Sequence, residues 1–251
     1  MGRARRFAPA LAALVLTAGL AVFAACGGDD ATAGTAPAGA SATATAKPAA
    51  TAASNDGVAA LRAFPVPREL ANGATLGKAD AKVTLTVFED FQCPFCLHYT
   101  ATQEGALIEE YVKTGKVKLE FKNFPILGQE SVQAAVAAQC AANQGRFWEM
   151  HRKLFLVEAE AGQLANEKVD AGRFSHQNLR AYAIEVGLDG ATFDSCYRSS
   201  EAAEAVAADA RQGRSLGIRG TPSFLINGTP QASGAPATVD LWRKVLDASL
   251  K

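Results

Sequence analysis

Two cysteines, Cys93 and Cys96, stand where a strand pattern gives way to a helical one. Residues 83–87 alternate apolar side chains with threonines, which is the two-residue period of a strand. From Pro94 to Tyr111 the pattern is helical, and proline suits the first turn of a helix because its missing N–H costs nothing there. A thiol at a helix N-terminus lies among unpaired N–H groups that stabilise the thiolate. The junction predicts an α/β fold with a reactive cysteine at the start of a helix.

The spacing of the two cysteines also fits other chemistry. Cys96 follows Cys93 by three residues, so its sulfur can reach back to close a disulfide or resolve a mixed one. A structural zinc site generally takes four ligands, and the chain has no second pair of this kind, so we expect no metal. Haem attachment needs a histidine directly after the second cysteine, where Leu97 stands. An inert structural disulfide is an alternative, but a place between strand and helix favours redox chemistry.

The remaining pattern predicts a large helical insertion in the α/β domain. A second alternating strand covers 117–121, and strand signals return at 223–226, just before the hairpin-turn signal Asn227-Gly228. No strand is predicted between about 128 and 217. Helical periodicity covers 131–143, 146–157, 175–186, 201–216 and 239–250.

Two sets of side chains within these helices receive structural predictions. The large apolar residues of the insertion are predicted to be core, namely Phe147, Trp148, Leu154 and Phe155. The histidines do not share a metal-ligand spacing, and we expect them to be solvated or near helix caps: His98, His151 and His176.

Charge is balanced overall and uneven at the N-terminus. The 25 lysines and arginines equal the 25 acidic residues, so the chain offers no electrostatic footprint for nucleic acid, and we expect none as a partner. Arginines at positions 3, 5 and 6 precede an uncharged stretch over 7–25, as in an export signal. The residues before Cys26 resemble a bacterial lipobox, with Phe23 in place of its usual leucine. We predict a signal peptide over 1–25, lipidation of Cys26 and anchoring to the cell membrane. Plain secretion and a retained membrane anchor are the alternatives, and all three put the domain outside the cytoplasm.

Residues 27–55 are rich in alanine, threonine and glycine and contain no aromatic residue, leucine, isoleucine, valine or methionine. Such a segment cannot bury enough apolar surface to offset the entropy of ordering. We therefore predict a lipidated cysteine and disordered linker over 26–57, followed by a single domain over 58–251.

Lipidation of Cys26 would leave four cysteines, an even number, in a compartment where disulfides persist. Besides Cys93 and Cys96 these are Cys140 and Cys196, both in the predicted insertion. We predict a structural disulfide between Cys140 and Cys196, with two buried free thiols as the alternative.

Two motifs carry a resemblance to a known family. The stretch 88–96, Phe-Glu-Asp-Phe-Gln-Cys-Pro-Phe-Cys, and the stretch 220–224, Gly-Thr-Pro-Ser-Phe, resemble those of the DsbA-like thiol:disulfide oxidoreductases of the thioredoxin superfamily. The resemblance covers about 76–250 and implies a thioredoxin-like fold with an inserted all-helical subdomain. It also implies that Pro222 is cis and that Thr221 and Pro222 bind substrate backbone beside the active site. An ordinary proline at a strand entry is the alternative.

The family's reaction is thiol–disulfide exchange without a bound cofactor. The resemblance implies catalytic Cys93 and Cys96, reduced or unfolded exported proteins as substrates, and a membrane reoxidase as partner. Phe95 stands where the best-known oxidases have a histidine that helps to stabilise the thiolate, which leaves the direction of electron flow open. A disulfide isomerase or reductase supplied with electrons across the membrane is one alternative, and a non-catalytic peptide-binding module is another.

The resemblance also draws attention to two acids just before the cysteines. Thioredoxin-like proteins often keep an acid near the buried cysteine for proton transfer, and Glu89 or Asp90 could assist deprotonation of Cys96. Solvated loop charges are the alternative for both residues.

Overall fold

The computed structural model describes residues 50–63, 66–231 and 234–251, with side chains from residue 57 onward. The predicted signal peptide over 1–25, Cys26 and the predicted linker up to residue 49 lie outside the described residues. Within the described ranges, every helix is too short or too polar to span a bilayer.

The observed elements follow the predicted order, with additions before the first predicted strand. Six strands are present in the described ranges: β1 (Ala71–Asn72), β2 (Thr75–Leu76), β3 (Val83–Glu89), β4 (Val117–Asn123), β5 (Ser223–Ile226) and β6 (Thr229–Pro230). The helices are α1 (Ala50–Ala63), α2 (Pro94–Tyr99), α3 (Gly105–Leu107), α4 (Gln129–Asn143), α5 (Phe147–Glu160), α6 (His176–Glu185), α7 (Gly190–Tyr197), α8 (Ser200–Ser215) and α9 (Val239–Ser249). The helical stretch predicted from Pro94 is continuous but irregular, because π-helical turns at Thr100–Glu104 and Ile108–Val112 flank α3.

All six strands form one mixed sheet in the order β1-β2-β4-β3-β5-β6. β3 and β4 are parallel, whereas β5 runs antiparallel to β3 and continues into the β6 hairpin. β3 is central, and all but one of its residues are buried. Its mostly apolar sequence fits a strand covered on both faces. The order also brings the start of β5 beside the end of β3, where Phe88 faces Ser223.

The regular elements of the insertion are all helices, as predicted, with an irregular stretch over 161–175 between α5 and α6, and a disulfide crosses the insertion. Cys140 on α4 and Cys196 on α7 are bonded, with a Cα–Cα distance of 5.7 Å. The side chains of Ser175, Asp189 and Ser199 cap the N-termini of α6, α7 and α8. The four large residues predicted to be core are buried: Phe147, Trp148, Leu154 and Phe155.

α1 begins at Ala50, before the predicted start of the domain at residue 58. Alanine has the highest helix propensity, so the alanine-rich end of the predicted linker can be helical once it has a surface to pack on. Buried Leu61 supplies an anchor within the main core. The helix therefore begins within the range predicted as linker.

The sheet has side chains packed on both faces. The main core contains Leu85 and Val87 of β3. A separate cluster lies where α8 contacts β4, and it consists of Phe88, Phe124, Ala210, Ile218 and Leu225. The active-site turn after β3 is thus carried by a strand fixed on both sides.

Candidate active site

Cys93 lies at the N-terminus of α2, four residues beyond the end of β3. It is the N-cap residue, and Pro94 occupies the first turn of the helix as predicted. The Cys93 carbonyl accepts the first helical hydrogen bond, from the Leu97 N–H at 3.0 Å. Cys93 is 4% exposed and Cys96 is fully buried. The local fold therefore leaves a small part of Cys93 accessible to solvent and buries Cys96 completely.

The two thiols differ in acidity. A hydrogen bond from Cys96 is the main reason that the pKa of Cys93 falls to about 7, and the N–H groups of Phe95 and Cys96 lower it further, against the effect of burial. Burial raises the pKa of Cys96 well above the usual thiol value, and the hydrogen bond to Cys93 raises it further. Cys93 is therefore the thiol that ionises near neutral pH.

Thr221 and Pro222 meet Cys93 from the far end of the sequence. The Thr221–Pro222 peptide bond is cis. Sγ of Cys93 lies 3.3 Å from the carbonyl oxygen of Thr221. The pairing of β5 with β3 produces this contact, because the loop before β5 ends beside the turn that follows β3.

A groove of about 660 Å³ opens next to these residues. Phe95, in the dipeptide between the cysteines, lies on its wall and is 72% exposed. His98, Leu216 and Arg219 also line the groove, together with Thr221, Pro222 and the chain that follows β6. A groove with an exposed aromatic side chain on its wall is a surface that can receive an extended peptide.

Asp90 is buried and fully used as a hydrogen-bond acceptor. One of its oxygens accepts from the Gln92 N–H at 2.8 Å and the Ser131 hydroxyl at 2.6 Å. The other accepts from the N–H groups of Ile126 and Leu127 at 2.7 and 2.9 Å. Asp90 therefore is not a solvated loop charge. Its hydrogen bonds link the active-site turn to the start of the insertion.

Glu89 is buried as well, and its surroundings are unlike those of Asp90. Oε2 of Glu89 lies 3.4 Å from Nε2 of His151, and Oε1 does not accept a hydrogen bond from any described residue. Burial raises the pKa of Glu89 well above its ordinary value, and the nearby Glu104 and Cys93 raise it further. Glu89 therefore holds its proton more strongly than an ordinary carboxyl does, and it lies beside the two thiols.

The expectation that His151 is solvated or near a cap is wrong. His151 is fully buried on α5 and packs among Phe91, Phe121 and Phe155. Burial lowers its pKa to about 3, and Arg152 contributes to the effect. His98 is exposed at the groove, and His176 begins α6 beside Asp194.

Two further buried groups near the thiols were not predicted. Glu104 lies in the π-helical turn after α2, with Oε1 at 4.0 Å from Nε2 of His151, and burial raises its pKa to about 8. Gln92 joins the turn to the insertion: its amide donates to Ser131 at 2.8 Å and accepts from the Asp170 N–H at 2.7 Å. Neither residue has a sequence spacing that would single it out, because both act through contacts made by distant helices.

No set of three or more histidine, cysteine or acidic side chains in the described ranges is arranged to hold a metal ion. The groups that meet at this site are the two sulfurs, the cis-proline loop and the buried acids.

Comparison with known proteins gives consistent matches. The sequence model of the family described as Thioredoxin matches residues 69–248. A curated relative, the probable disulfide bond formation protein D of Bacillus cereus, is 30% identical over 182 residues, which cover 70% of this chain and 78% of the relative.

Solved structures show the same fold. The oxidised BdbD of Bacillus subtilis superposes with a TM-score of 0.62 at 24% identity and covers 71% of this chain and 93% of its own. The α-DsbA1 of Wolbachia pipientis gives a TM-score of 0.59 at 19% identity and covers 76% of this chain and 96% of its own. The predicted thioredoxin-like fold with a helical insertion is confirmed. The chain belongs to the thioredoxin family and is a DsbA-like thiol:disulfide oxidoreductase.

Proposed function

We propose that the protein works outside the cytoplasm and introduces disulfides into exported proteins by exchange at Cys93 and Cys96. The contrast between the two thiols carries this proposal. Cys93 ionises near pH 7 beside an open groove, whereas Cys96 is fully buried with a raised pKa. This contrast fits a pair in which Cys93 reacts with the substrate and Cys96 reacts with Cys93 alone.

The reaction balances without a cofactor. A substrate thiolate attacks Sγ of Cys93, the Cys93–Cys96 bond breaks, and Cys96 leaves as a thiolate. The second substrate thiolate then attacks the substrate sulfur of the mixed disulfide and displaces Cys93 as a thiolate. The substrate loses two electrons, and the enzyme's disulfide gains them. A membrane reoxidase, by exchange with a disulfide of its own, would return Cys93 and Cys96 to the oxidised state.

We propose that the loop at Thr221 and Pro222 binds the backbone of the substrate. The carbonyl of Thr221 is already within 3.3 Å of the Cys93 sulfur, so a peptide hydrogen-bonded along this loop would bring its own sulfur within reach of Cys93. The exposed ring of Phe95 offers an apolar contact for the residue next to the substrate cysteine.

Glu89 is our candidate for proton exchange with Cys96. It is buried beside the thiols, holds its proton to a higher pH than an ordinary carboxyl does, and keeps one oxygen unpartnered among the described residues. We do not assign this role to Asp90, because four hydrogen bonds occupy its two oxygens.

The extracytoplasmic location rests on the N-terminal sequence. A signal over 1–25, a lipidated Cys26 and a linker would hold the domain at the outer face of the cell membrane. The Cys140–Cys196 bond supports this location, because structural disulfides persist in oxidising compartments. The relatives named probable disulfide bond formation protein D support the proposed reaction.

Anchoring is tested by a Cys26→Ser variant expressed in the native host. We expect the wild-type protein in the membrane fraction and labelled by a fatty-acid analogue, and the variant unlabelled. Equal membrane association without label in both proteins would show a retained signal anchor instead of a lipid.

A reductase or isomerase is the second candidate function. The Cys93 pKa of about 7 equals that of the nucleophilic cysteine in thioredoxin. Phe95 does not stabilise the Cys93 thiolate as a histidine at that position would. A less stabilised thiolate gives a less oxidising couple, so this observation favours the second candidate.

The direct test mixes the oxidised protein with a reduced, unfolded protein that contains two cysteines. We expect stoichiometric disulfide formation in the substrate and two new thiols in the enzyme, both measured by alkylation and mass spectrometry. Cys93→Ser should abolish transfer. A non-catalytic peptide-binding module would keep its activity in Cys93→Ser and would form no disulfide in either case.

A further inference from the structure

A line of buried titratable side chains leads away from the thiols toward the far side of α2. It begins with Glu89 at the end of β3, continues with His151 on α5 and ends with Glu104 in the π-helical turn. Nε2 of His151 lies between the two acids, 3.4 Å from Oε2 of Glu89 and 4.0 Å from Oε1 of Glu104. Each of the three residues is at most 4% exposed.

These three side chains retain unused hydrogen-bonding capacity. Oε1 of Glu89, Oε1 of Glu104 and Nδ1 of His151 are buried without a hydrogen-bond partner in the described part of the chain. Buried polar atoms are normally paired, as those of Asp90 are, so three unpaired ones in a row need an explanation. A purely structural cluster would pair them. A path for protons requires groups whose partners can change.

Glu104 also lines a cavity of about 420 Å³ between α1, the π-helical turn and α5. The lining includes the exposed residues Ala63 and Glu109, so the cavity reaches the surface. Its walls are mainly apolar, with Thr100, Glu104 and Arg152 as polar groups deep in the lining. A space of this size has room for several water molecules, and its polar groups could hold them. Glu104 therefore joins the buried line to solvent.

The protonation states suit the transfer of a proton along this line. Burial raises the pKa of Glu104 to about 8, so this acid is protonated at neutral pH. Burial also raises the pKa of Glu89 well above its ordinary value, so Glu89 holds its proton to a higher pH than an ordinary carboxyl does. Burial keeps the ring of His151 uncharged at neutral pH and makes it a weak base, so a protonated ring would form only transiently as the proton moves from one acid to the other. The other titratable or charged groups that act on these three are Cys93, Cys96, Tyr99 and Arg152.

We propose that Glu104 and His151 form a proton path between the cavity beside α1 and Cys96, with Glu89 as the group that exchanges the proton with the Cys96 sulfur. The path rests on the proposed function, because it operates only if Cys93 and Cys96 perform the exchange. Glu104 and His151 are positioning residues in this scheme, since they act through Glu89.

One proton moves inward each time the enzyme's disulfide is opened. When the substrate thiolate attacks Cys93 and the S–S bond breaks, Cys96 leaves as a thiolate, and Glu89 gives its proton to that sulfur. Nε2 of His151 takes the proton of Glu104 and passes it to Glu89, and Glu104 is reprotonated by water in the cavity. Reoxidation runs in the opposite direction: the proton of Cys96 leaves through Glu89, His151 and Glu104, and the Cys96 thiolate attacks the mixed disulfide at Cys93.

The experiment measures the rate at which a reduced peptide with two cysteines reduces the oxidised enzyme, by rapid quench between pH 5.5 and 9. Glu104→Gln removes the ionisable group at nearly constant volume. We expect this variant to lose at least about tenfold in rate at neutral pH. The substrate thiol ionises in the same pH range, so the contribution of Glu104 is read from the ratio of the variant rate to the wild-type rate at each pH. We expect this ratio to change near pH 8, where Glu104 ionises in the wild type. For Glu104→Asp the ratio should stay nearly constant with pH, and His151→Phe should behave as Glu104→Gln does.

Glu109→Gln is the matched control, because Glu109 lines the same cavity but is exposed and pairs with Lys113. It should keep the wild-type rate and pH profile. The rate of Cys93 alkylation in the reduced enzyme depends on pH, and the midpoint of this dependence should stay near pH 7 in all Glu104 variants. That result would show that the nucleophile is intact.

A wild-type rate and pH profile in Glu104→Gln would overturn the path and leave the proposed function standing. A uniform loss of rate, with the same ratio to the wild-type rate at every pH, would also overturn it, because that result describes a change of packing. A wild-type enzyme that transfers no disulfide at any pH would overturn the proposed function and the path together. The Glu104 variants carry the test even if His151→Phe does not fold.

Discussion

The acidity of Cys93 depends on its partner thiol. The hydrogen bond from Cys96 is the largest contribution that lowers the Cys93 pKa from its ordinary thiol value to about 7. Because the Cys93 pKa is lower in the folded than in the unfolded reduced protein, ionisation of Cys93 stabilises the reduced fold. This stabilisation is fully present at pH values above the pKa of Cys93 in the unfolded chain, and it is lost as pH falls through about 7. The full difference of about two pKa units corresponds to about 3 kcal/mol in favour of the reduced protein above pH 9.

This dependence predicts the behaviour of two Cys96 variants. Cys96→Ala removes the donor, so the Cys93 pKa should rise from about 7 toward 9, as measured by thiolate absorbance or by the pH dependence of alkylation. Cys96→Ser keeps a hydroxyl donor and is the matched control, with an expected midpoint near the wild-type value. Equal midpoints in the two variants would show that the helix N-terminus, and not Cys96, lowers the pKa.

Asp90 is predicted to be structural. Asp90→Ala would leave several buried donors unpaired, so we expect the free energy of unfolding to fall by about 3 kcal/mol in denaturant titrations. Exchange at Cys93 should change little in the folded fraction. Asp80→Ala is the control, because Asp80 is exposed and should change stability by less than about 0.5 kcal/mol. Full stability with lost exchange in Asp90→Ala would contradict the structural assignment.

At the residue scale the sequence predicts the reactive pair but not its buried surroundings. Cys93 and Cys96 are recognisable because their chemistry depends on local spacing and on one helix end. The positions of His151 and Glu104 depend on how α5 and the π-helical turn pack against β3. Nothing in the local sequence of either residue distinguishes a buried side chain from a solvated one.

At the scale of the elements, α8 packs closely against the sheet through a glycine. A Cβ on Gly213 would lie 2.7 Å from the ring of Phe124 and 3.1 Å from that of Phe88. Gly213→Ala should therefore lower the free energy of unfolding by about 1–2 kcal/mol, because overpacking outweighs the gain in helix propensity. Gln212→Ala on the exposed neighbouring position should be nearly neutral. A stabilised Gly213→Ala would mean that the Phe124 ring moves away at little cost.

The disulfide between α4 and α7 should support stability without taking part in exchange. Its cysteines are 56 residues apart, and on the chain-entropy account closing such a loop stabilises the fold by about 4 kcal/mol. We expect the double variant Cys140→Ala/Cys196→Ala to lose about that amount in denaturant titrations. Its rate of exchange at Cys93 should match the wild type. A slower exchange in the folded double variant would indicate that this bond takes part in the reaction.

Long periodic elements were predictable, and short or irregular ones were not. β3, β4 and most helices of the insertion have clear periods and, at several N-termini, clear caps. β1 and β2 have two residues each, which is too short for a period, and they exist because β4 offers an edge for pairing. α1 has weak amphipathic character in its sequence and depends on packing against α5.

At the scale of the whole molecule, the fold brings the reactive cysteine to one end of the central strand and the cis-proline loop to the same end. The alternating sequence patterns predict the strands on both sides of this site, but strand order requires the tertiary structure. The order places β5 directly beside β3, and this neighbourhood is what joins Thr221 to Cys93 across 128 residues.

The most direct test of the proposed oxidase is the reduction potential of the Cys93–Cys96 pair at pH 7. It is measured by equilibration in glutathione buffers, followed by alkylation of free thiols. The oxidase account predicts a value between about −180 and −120 mV, the range of proteins that donate disulfides. A value near about −270 mV would contradict it and would identify the protein as a reductant that takes its electrons from a membrane donor.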